Sequence, residues 1–196
     1  MRQQTTFSWD LPASSSDENV VPFFLLAVGI TGLFFGAKGM HASLTKNANR
    51  AAFLAAIRMS EGTARYADPY SIVYGGQLFL DHSDHPANTG EWTGVDTRWG
   101  HTSAAGAYQF EVATWNGLGG APNYGDFSAQ SQDQAALDLI AQCGALDAID
   151  SGDIPAAVAK VGSQWASLPS STAGQPTVAL QSFLTSYAAN GGKVLA

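Results

Sequence analysis

Glu61 is the side chain whose setting most invites chemistry. It stands four residues after Ile57 and seven after Leu54, in a stretch from Asn49 to Ser60 that puts Phe53, Leu54 and Ile57 at helical spacing, and Gly62 follows as a helix stop. A helix over these residues directs the carboxylate along its own apolar stripe, at the C-terminal end of the helix dipole. Desolvation and the dipole both disfavour the charged form, and a general acid needs the protonated form near neutral pH. Spacing alone also allows a plain ion pair with Arg58 or Arg65. A second cluster, Asp81, His82, Asp84 and His85, joined by His101 further on, has the donor types of a zinc site. Its loop is dense in Asp, Ser and Pro, whose short side chains cap their own backbone turns, so no metal and no cofactor are expected.

The elements that would position Glu61 read as mostly helical. Asn49 is placed to cap the first helix. Ser71 to Leu80 sets Gly75-Gly76 between two runs rich in β-branched and aromatic residues, the pattern of a hairpin with a two-residue turn. Ser128 can cap a helix through Cys143 that Gly144 closes. Asp153 with Pro155 opens another to about Val161, and Pro176 starts a last one that ends at Gly191. No internal repeat is visible.

The first residues differ in character. Residues 1–19 are polar and Ser-rich, and residues 20–37 run without a charge, which just reaches the length of a membrane span. Acidic residues before the run and Met40 near any cleavage point argue against a removed signal peptide, so the expectation is a retained transmembrane anchor over 20–37, a linker over 38–48 and a domain over 49–196. Lys38, Lys46 and Arg50 follow the run, which by the positive-inside rule conflicts with export of the domain, so the topology stays open.

Composition narrows the function classes. The 196 residues suit one domain with an appendage, and at 45% apolar and 13% charged the chain can bury a sizeable core. Nine Lys and Arg against 16 Asp and Glu give a net charge of −7, the wrong sign for a nucleic-acid binder. One cysteine, Cys143, makes neither an internal disulfide nor a thiolate cage, and reads as packing.

Short segments then specify more. Ser60–Thr63, Tyr70–Gly76, Asp81–Pro86, Ala105–Gln109, Phe127–Leu137, Gly144–Leu146, Ile149–Ile154 and Trp165–Pro169, in that order, resemble the lambda-type phage endolysins over about residues 49–194. The resemblance implies an α+β, mostly helical, lysozyme-like domain with a small β-hairpin subdomain, here preceded by the expected transmembrane helix. It implies a peptidoglycan lytic transglycosylase, used for host lysis or entry, with Glu61 as its catalytic acid and Tyr70, Ser71, Tyr108, Gln109, Trp165, Ser167 and Gln175 contacting substrate. Tyr108-Gln109 and Trp165 also read as packing features. Ser71 and Ala173 depart from the residue types usual in the family at their positions, which leaves the details of substrate grip open.

In that chemistry the protonated acid serves the bond between N-acetylmuramic acid and N-acetylglucosamine, and the muramic C6 hydroxyl replaces water as nucleophile. The competing readings are a hydrolytic lysozyme with Asp68, Asp81 or Asp84 directing water, a zinc amidase, and a non-catalytic wall-binding or virion module. The expected partners are peptidoglycan glycan strands and, through residues 20–37, a membrane, which would bring an acidic monomeric domain close to an anionic wall in the periplasm.

Overall fold

The computed structural model describes residues 31–195. Its frame is a long helix, α1 (Thr31–Ser60), against which the C-terminal helices α6 (Leu146–Ser151) and α8 (Leu180–Ala189) pack. Phe53 and Ile57 on α1 are fully buried, and the Phe53 ring meets Phe183 of α8 edge to face at 5.2 Å. Such aromatic contacts favour one relative placement of two helices beyond their apolar burial.

Asn49 adds direction to this packing. It lies inside α1 rather than at its start, 1% exposed. Its Nδ2 donates to the carbonyls of Ile149 and Asp150 at 3.1 and 3.4 Å, and its Oδ1 accepts the Lys193 N–H at 2.9 Å. The next residue, Arg50, donates Nε and an Nη to the two oxygens of Asp150, both at 2.7 Å. One turn of α1 is thus bonded to α6 and to the C-terminal strand of chain.

Between α1 and the remaining helices lie two short 3-10 turns (Thr63–Arg65 and Pro69–Ser71), α2 (Pro86–Thr89), and a two-stranded antiparallel sheet of β1 (Val95–Thr97) and β2 (Gly100–Thr102) in which Thr97 pairs with Gly100. Arg98 and Trp99 are therefore its turn. Gly75 and Gly76 do form a tight turn at φ +91° and +88°, but the flanking residues make only an isolated bridge, Ile72 with Leu78. The reason is that this segment divides its hydrogen bonds: Tyr74 N donates to Ala104 O at 2.8 Å and Ile72 O accepts from Gly106 N at 2.7 Å.

The second half follows local signals closely, with one exception. After α3 (Val112–Gly117) and α4 (Gly120–Tyr124), α5 (Ala129–Gln142) starts at Ser128, whose hydroxyl accepts from Ser131 N, and Gly144 lies beyond its end at φ +66°. α7 (Ile154–Val161) starts at Asp153, whose carboxylate accepts from Ala156 N. The exception is α8, which begins at Leu180 and not at Pro176, because Val178 N donates to Ser167 O at 2.8 Å and holds the approach to the helix extended. The core collects Trp115, Phe127, Ile140, Ile149, Ile154 and Tyr187 from these elements.

The expected transmembrane helix, and the membrane-anchored localisation drawn from it, are corrected. Residues 1–30 lie outside the described residues, and 31–37 open a helix that continues through residues 38–48, taken above as a linker, to Ser60. Beyond the apolar run, that helix carries Lys38, His41, Lys46, Asn47 and Asn49 in its sequence. Among the described residues no helix is long and apolar enough to cross a membrane.

Candidate active site

Glu61 leaves the end of α1 with its N–H still bonded to Ile57 O at 2.8 Å, so its backbone continues the last helical turn. Gly62, at φ +73°, then turns the chain away, and Thr63 fastens the corner: its hydroxyl bridges Arg58 O at 3.1 Å and Ala107 O at 2.7 Å. The glycine supplies a backbone conformation that costs other residues steric strain. A helix end, a left-handed corner and one bridging hydroxyl together aim the carboxylate.

Neither nearby arginine pairs with it. Arg58 turns to Tyr108, donating to its hydroxyl at 2.7 Å with Asp133 3.8 Å away, and Arg65 donates to the Tyr66 hydroxyl at 2.9 Å. The Ser167 hydroxyl donates to Glu61 Oε1 at 2.6 Å. Burial pushes the Glu61 carboxyl up to about 7, against the opposing pull of that serine bond. The group holds a substantial protonated fraction at neutral pH.

Glu61 stands where two hollows meet. One, of about 190 Å³, is walled by Trp99, His101, Glu111, Trp165 and Gln175; the other, of about 260 Å³, by Arg65, Tyr66, Ile72 and Gly76; Glu61, Tyr74 and Gln109 line both. Gln109 holds φ at +49°, alone among the non-glycine residues described, with its Nε2 donating to Gly106 O at 3.0 Å. A strained backbone beside a half-buried acid is characteristic of functional sites. Glu111 is the other carboxylate lining these hollows, and its oxygens are engaged by Thr102 Oγ1 at 2.5 Å, Ser103 N at 2.7 Å and Ser103 Oγ at 2.6 Å.

The residues expected to contact substrate divide into two groups. Gln109, Trp165 and Gln175 line a hollow with Glu61, and Ser167 reaches it by hydrogen bond. Trp165 is only 3% exposed and donates its indole N–H to Tyr108 O at 3.0 Å, so it forms a floor rather than a free stacking face. Tyr70, Ser71 and Tyr108 line neither hollow. Tyr108 is fully buried, with its hydroxyl and that of Tyr70 both donating to Asp133 Oδ1. Ser71 is buried between Asp68 and His82. This polar cluster braces α1 and α5, and direct contact of these three with a ligand in the hollows is not what their placement provides.

Tyr74 and Trp99 were not singled out in the sequence and are the open aromatic faces of the site, 41% and 42% exposed. The available signal was their setting, beside a Gly-Gly pair and within a two-residue turn, where a large ring has no core to enter. The Asp/His cluster disperses: Asp84 accepts from the Trp115 indole, His85 bonds Phe110 O, and His101 bridges Asp96 and Thr93 O.

Known proteins resemble this chain in sequence and fold. A family model described as Endolysin matches residues 51–194. The endolysin of Escherichia phage lambda is 35% identical over 153 residues, covering 76% of this chain and 94% of that protein, and the endolysin of Escherichia phage P2 is 36% identical over 160 residues, covering 74% and 93%. A solved structure, bacteriophage lambda lysozyme complexed with a chitohexasaccharide, superposes with a TM-score of 0.67 at 34% identity, covering 76% of this chain and 97% of the other. With its mostly helical architecture, its small two-stranded sheet and this match over three quarters of its length, the chain belongs to the lambda-type endolysin family.

Proposed function

We propose that this endolysin degrades peptidoglycan as a lytic transglycosylase, cleaving the β-1,4 bond between N-acetylmuramic acid and N-acetylglucosamine with Glu61 as its acid and base. The observation that carries this reading is the pairing of one carboxyl with a substantial protonated fraction at neutral pH, at the junction of two hollows, with a second carboxylate, Glu111, that accepts from three donors. A bond cut at that junction leaves a sugar on each side. A relative's structure with a chitohexasaccharide supports a glycan as the ligand class.

Glu61 gives its proton to the glycosidic oxygen, the C1–O bond breaks, and positive charge develops at C1 of the muramic sugar. The carboxylate left behind keeps its bond from Ser167 and takes the proton of the C6 hydroxyl, whose oxygen closes on C1. The products are a free 4-hydroxyl and a 1,6-anhydro end, and Glu61 is protonated again. Nucleophile and electrophile share one ring, so no water has to be positioned. Hydrolysis asks for a second carboxylate to direct water, and Asp68, Asp81 and Asp84 lie outside both hollows, each accepting a backbone N–H in its own loop.

Mass spectrometry of digested cell wall tests the reading. Anhydro ends are one water lighter than hydrolysed ends, and Glu61→Gln releases neither. Reducing termini from the native protein would replace this mechanism with hydrolysis, and unchanged release by Glu61→Gln would remove it.

A further inference from the structure

The region 49–196 carries 13 acidic and six basic residues, so the whole surface field opposes an anionic polymer. Four of the six basic groups are placed away from the site. Arg50 pairs with Asp150, Arg58 with Tyr108 and Asp133, and Lys160 donates to Gly144 O at 2.7 Å, while neither Lys193 nor these three lines a hollow. The remaining two arginines share an unusual arrangement. Arg65 lines the larger hollow, its guanidinium 4.9 Å from the centroid of the Tyr66 ring, and Tyr66 lies hard against Gly76, where a Cβ would strike its hydroxyl. Arg98, in the turn of the sheet, lies 3.9 Å over the Trp99 ring that lines the smaller hollow. Both arginines are exposed, and among the described residues no carboxylate pairs with either.

A guanidinium within cation–π reach of an aromatic ring is held in place by it, and its N–H groups can receive a carboxylate. Arg65 spends one Nη on the Tyr66 hydroxyl at 2.9 Å and keeps its other N–H groups for a ligand. We propose that Arg65, in the wall of the larger hollow, and Arg98, over the Trp99 ring beside the smaller one, are carboxylate-recognising residues that bind the acidic substituents carried by alternate sugars of the wall glycan and so favour it over a neutral glycan. This rests on the glycan reading above and adds its specificity. The anionic group is either a carboxylate of the peptide stem or the lactyl carboxylate exposed where a stem has been removed.

The test compares Arg65→Gln, Arg98→Gln and the double variant with the native chain on three soluble ligands: stem-bearing glycan strands, strands stripped of stems by an amidase, and the neutral hexamer of N-acetylglucosamine. Each single variant is expected to raise KM about fivefold on the anionic strand type it recognises, the range of an exposed charge pair, with kcat and the Kd for the neutral hexamer far less affected. Arg→Lys at either position recovers part of the loss. Lys160→Gln removes one equal charge away from both hollows and leaves the anionic-to-neutral ratio unchanged. Loss on stem-bearing strands identifies the stem as the group bound, and loss on stripped strands identifies the lactyl group. Equal weakening on all three ligands, no weakening on any, or the same change with Lys160→Gln overturns the proposal. A native protein that cuts no strand at all would instead overturn the glycan reading on which it rests.

Discussion

The Ser167 hydroxyl donates a 2.6 Å hydrogen bond to Oε1 of Glu61, joining two residues 106 positions apart in the chain. A hydroxyl can donate to this oxygen in either protonation state, but it stabilises the anion more, so it opposes the burial that raises the group. Ser167 is itself fixed, since its carbonyl accepts from Val178 N and its neighbour Trp165 is anchored on Tyr108 O. The proton affinity of Glu61 is therefore set jointly by the end of α1 and by the segment before α8.

Ser167→Ala removes the anion's donor and leaves the burial. The Glu61 carboxyl then rises further above about 7. Since the proposed reaction needs the protonated acid, activity falls as pH rises through that value, and the variant moves this basic limb of the kcat/KM profile to higher pH. The displacement is on the order of one unit, the worth of one charge-assisted hydrogen bond. A basic limb that stays in place in Ser167→Ala would mean that another group controls it.

The same shift bears on stability. Glu61 in the unfolded chain titrates near the ordinary value of 4.5 and in the fold near about 7, so the folded state binds the proton more tightly. Its favourable contribution is full below 4.5 and is lost as pH climbs through 7, at a cost of up to roughly 3 kcal/mol at alkaline pH. Glu61→Gln, which cannot ionise, escapes that cost. Its thermal midpoint is expected to exceed that of the native chain at pH 8 and to approach it at pH 4. Equal differences at both pH values would show that Glu61 is not held protonated by its surroundings.

Which features were legible in the sequence depended on how far away their partners lie. Ser128 and Asp153 open helices by accepting from N–H groups three residues on, and their identity was enough. The burial of Glu61 was legible for a similar reason, since three helical positions define the stripe on which it ends. Pro176 carries an equally good local signal, yet Val178 is bonded to Ser167 and the helix waits for Leu180. Gly75-Gly76 turns the chain as expected, while the regular sheet forms at 95–102, where Thr93, Val95, Thr97 and Trp99 do alternate with Gly94, Asp96 and Arg98 but over strands of only three residues each. Trp99 enters the site from the turn of that short sheet and Glu111 from the residue before α3, and neither position by itself marks a residue as facing a cleft.

Asn49 shows the same limit and can be tested. Its residue type fits a helix cap, but its partners are 100, 101 and 144 residues away and it is buried in mid-helix. Asn49→Ala removes the acceptor of the Lys193 N–H and a donor to the carbonyls of Ile149 and Asp150, of which Ile149 O keeps its bond from Gly152 N at 3.0 Å. The expected loss is on the order of 2–4 kcal/mol of unfolding free energy, from orphaned buried polar groups and a small cavity. Urea denaturation measures it. A cap, in contrast, would lose only about 1 kcal/mol, so a loss that small would return Asn49 to the terminal role its type suggests.

Gln109 separates strain from function. Its φ of +49° is a conformation that glycine adopts freely, and it lines both hollows together with Glu61. Gln109→Gly preserves the backbone path through Gly106 to Phe110, where Gln109 N still donates to Gly106 O, and changes stability by less than about 1 kcal/mol. What it removes is the amide, the group able to hold an N-acetyl substituent or the leaving oxygen beside the acid. Turnover on soluble glycan strands is expected to fall on the order of tenfold while the thermal midpoint barely moves, since misplacing a bound sugar by even an ångström is costly to the reaction. Native turnover in Gln109→Gly would leave the positive φ as a feature of the turn alone, and a large drop in midpoint would show that the amide serves the fold before it serves the site.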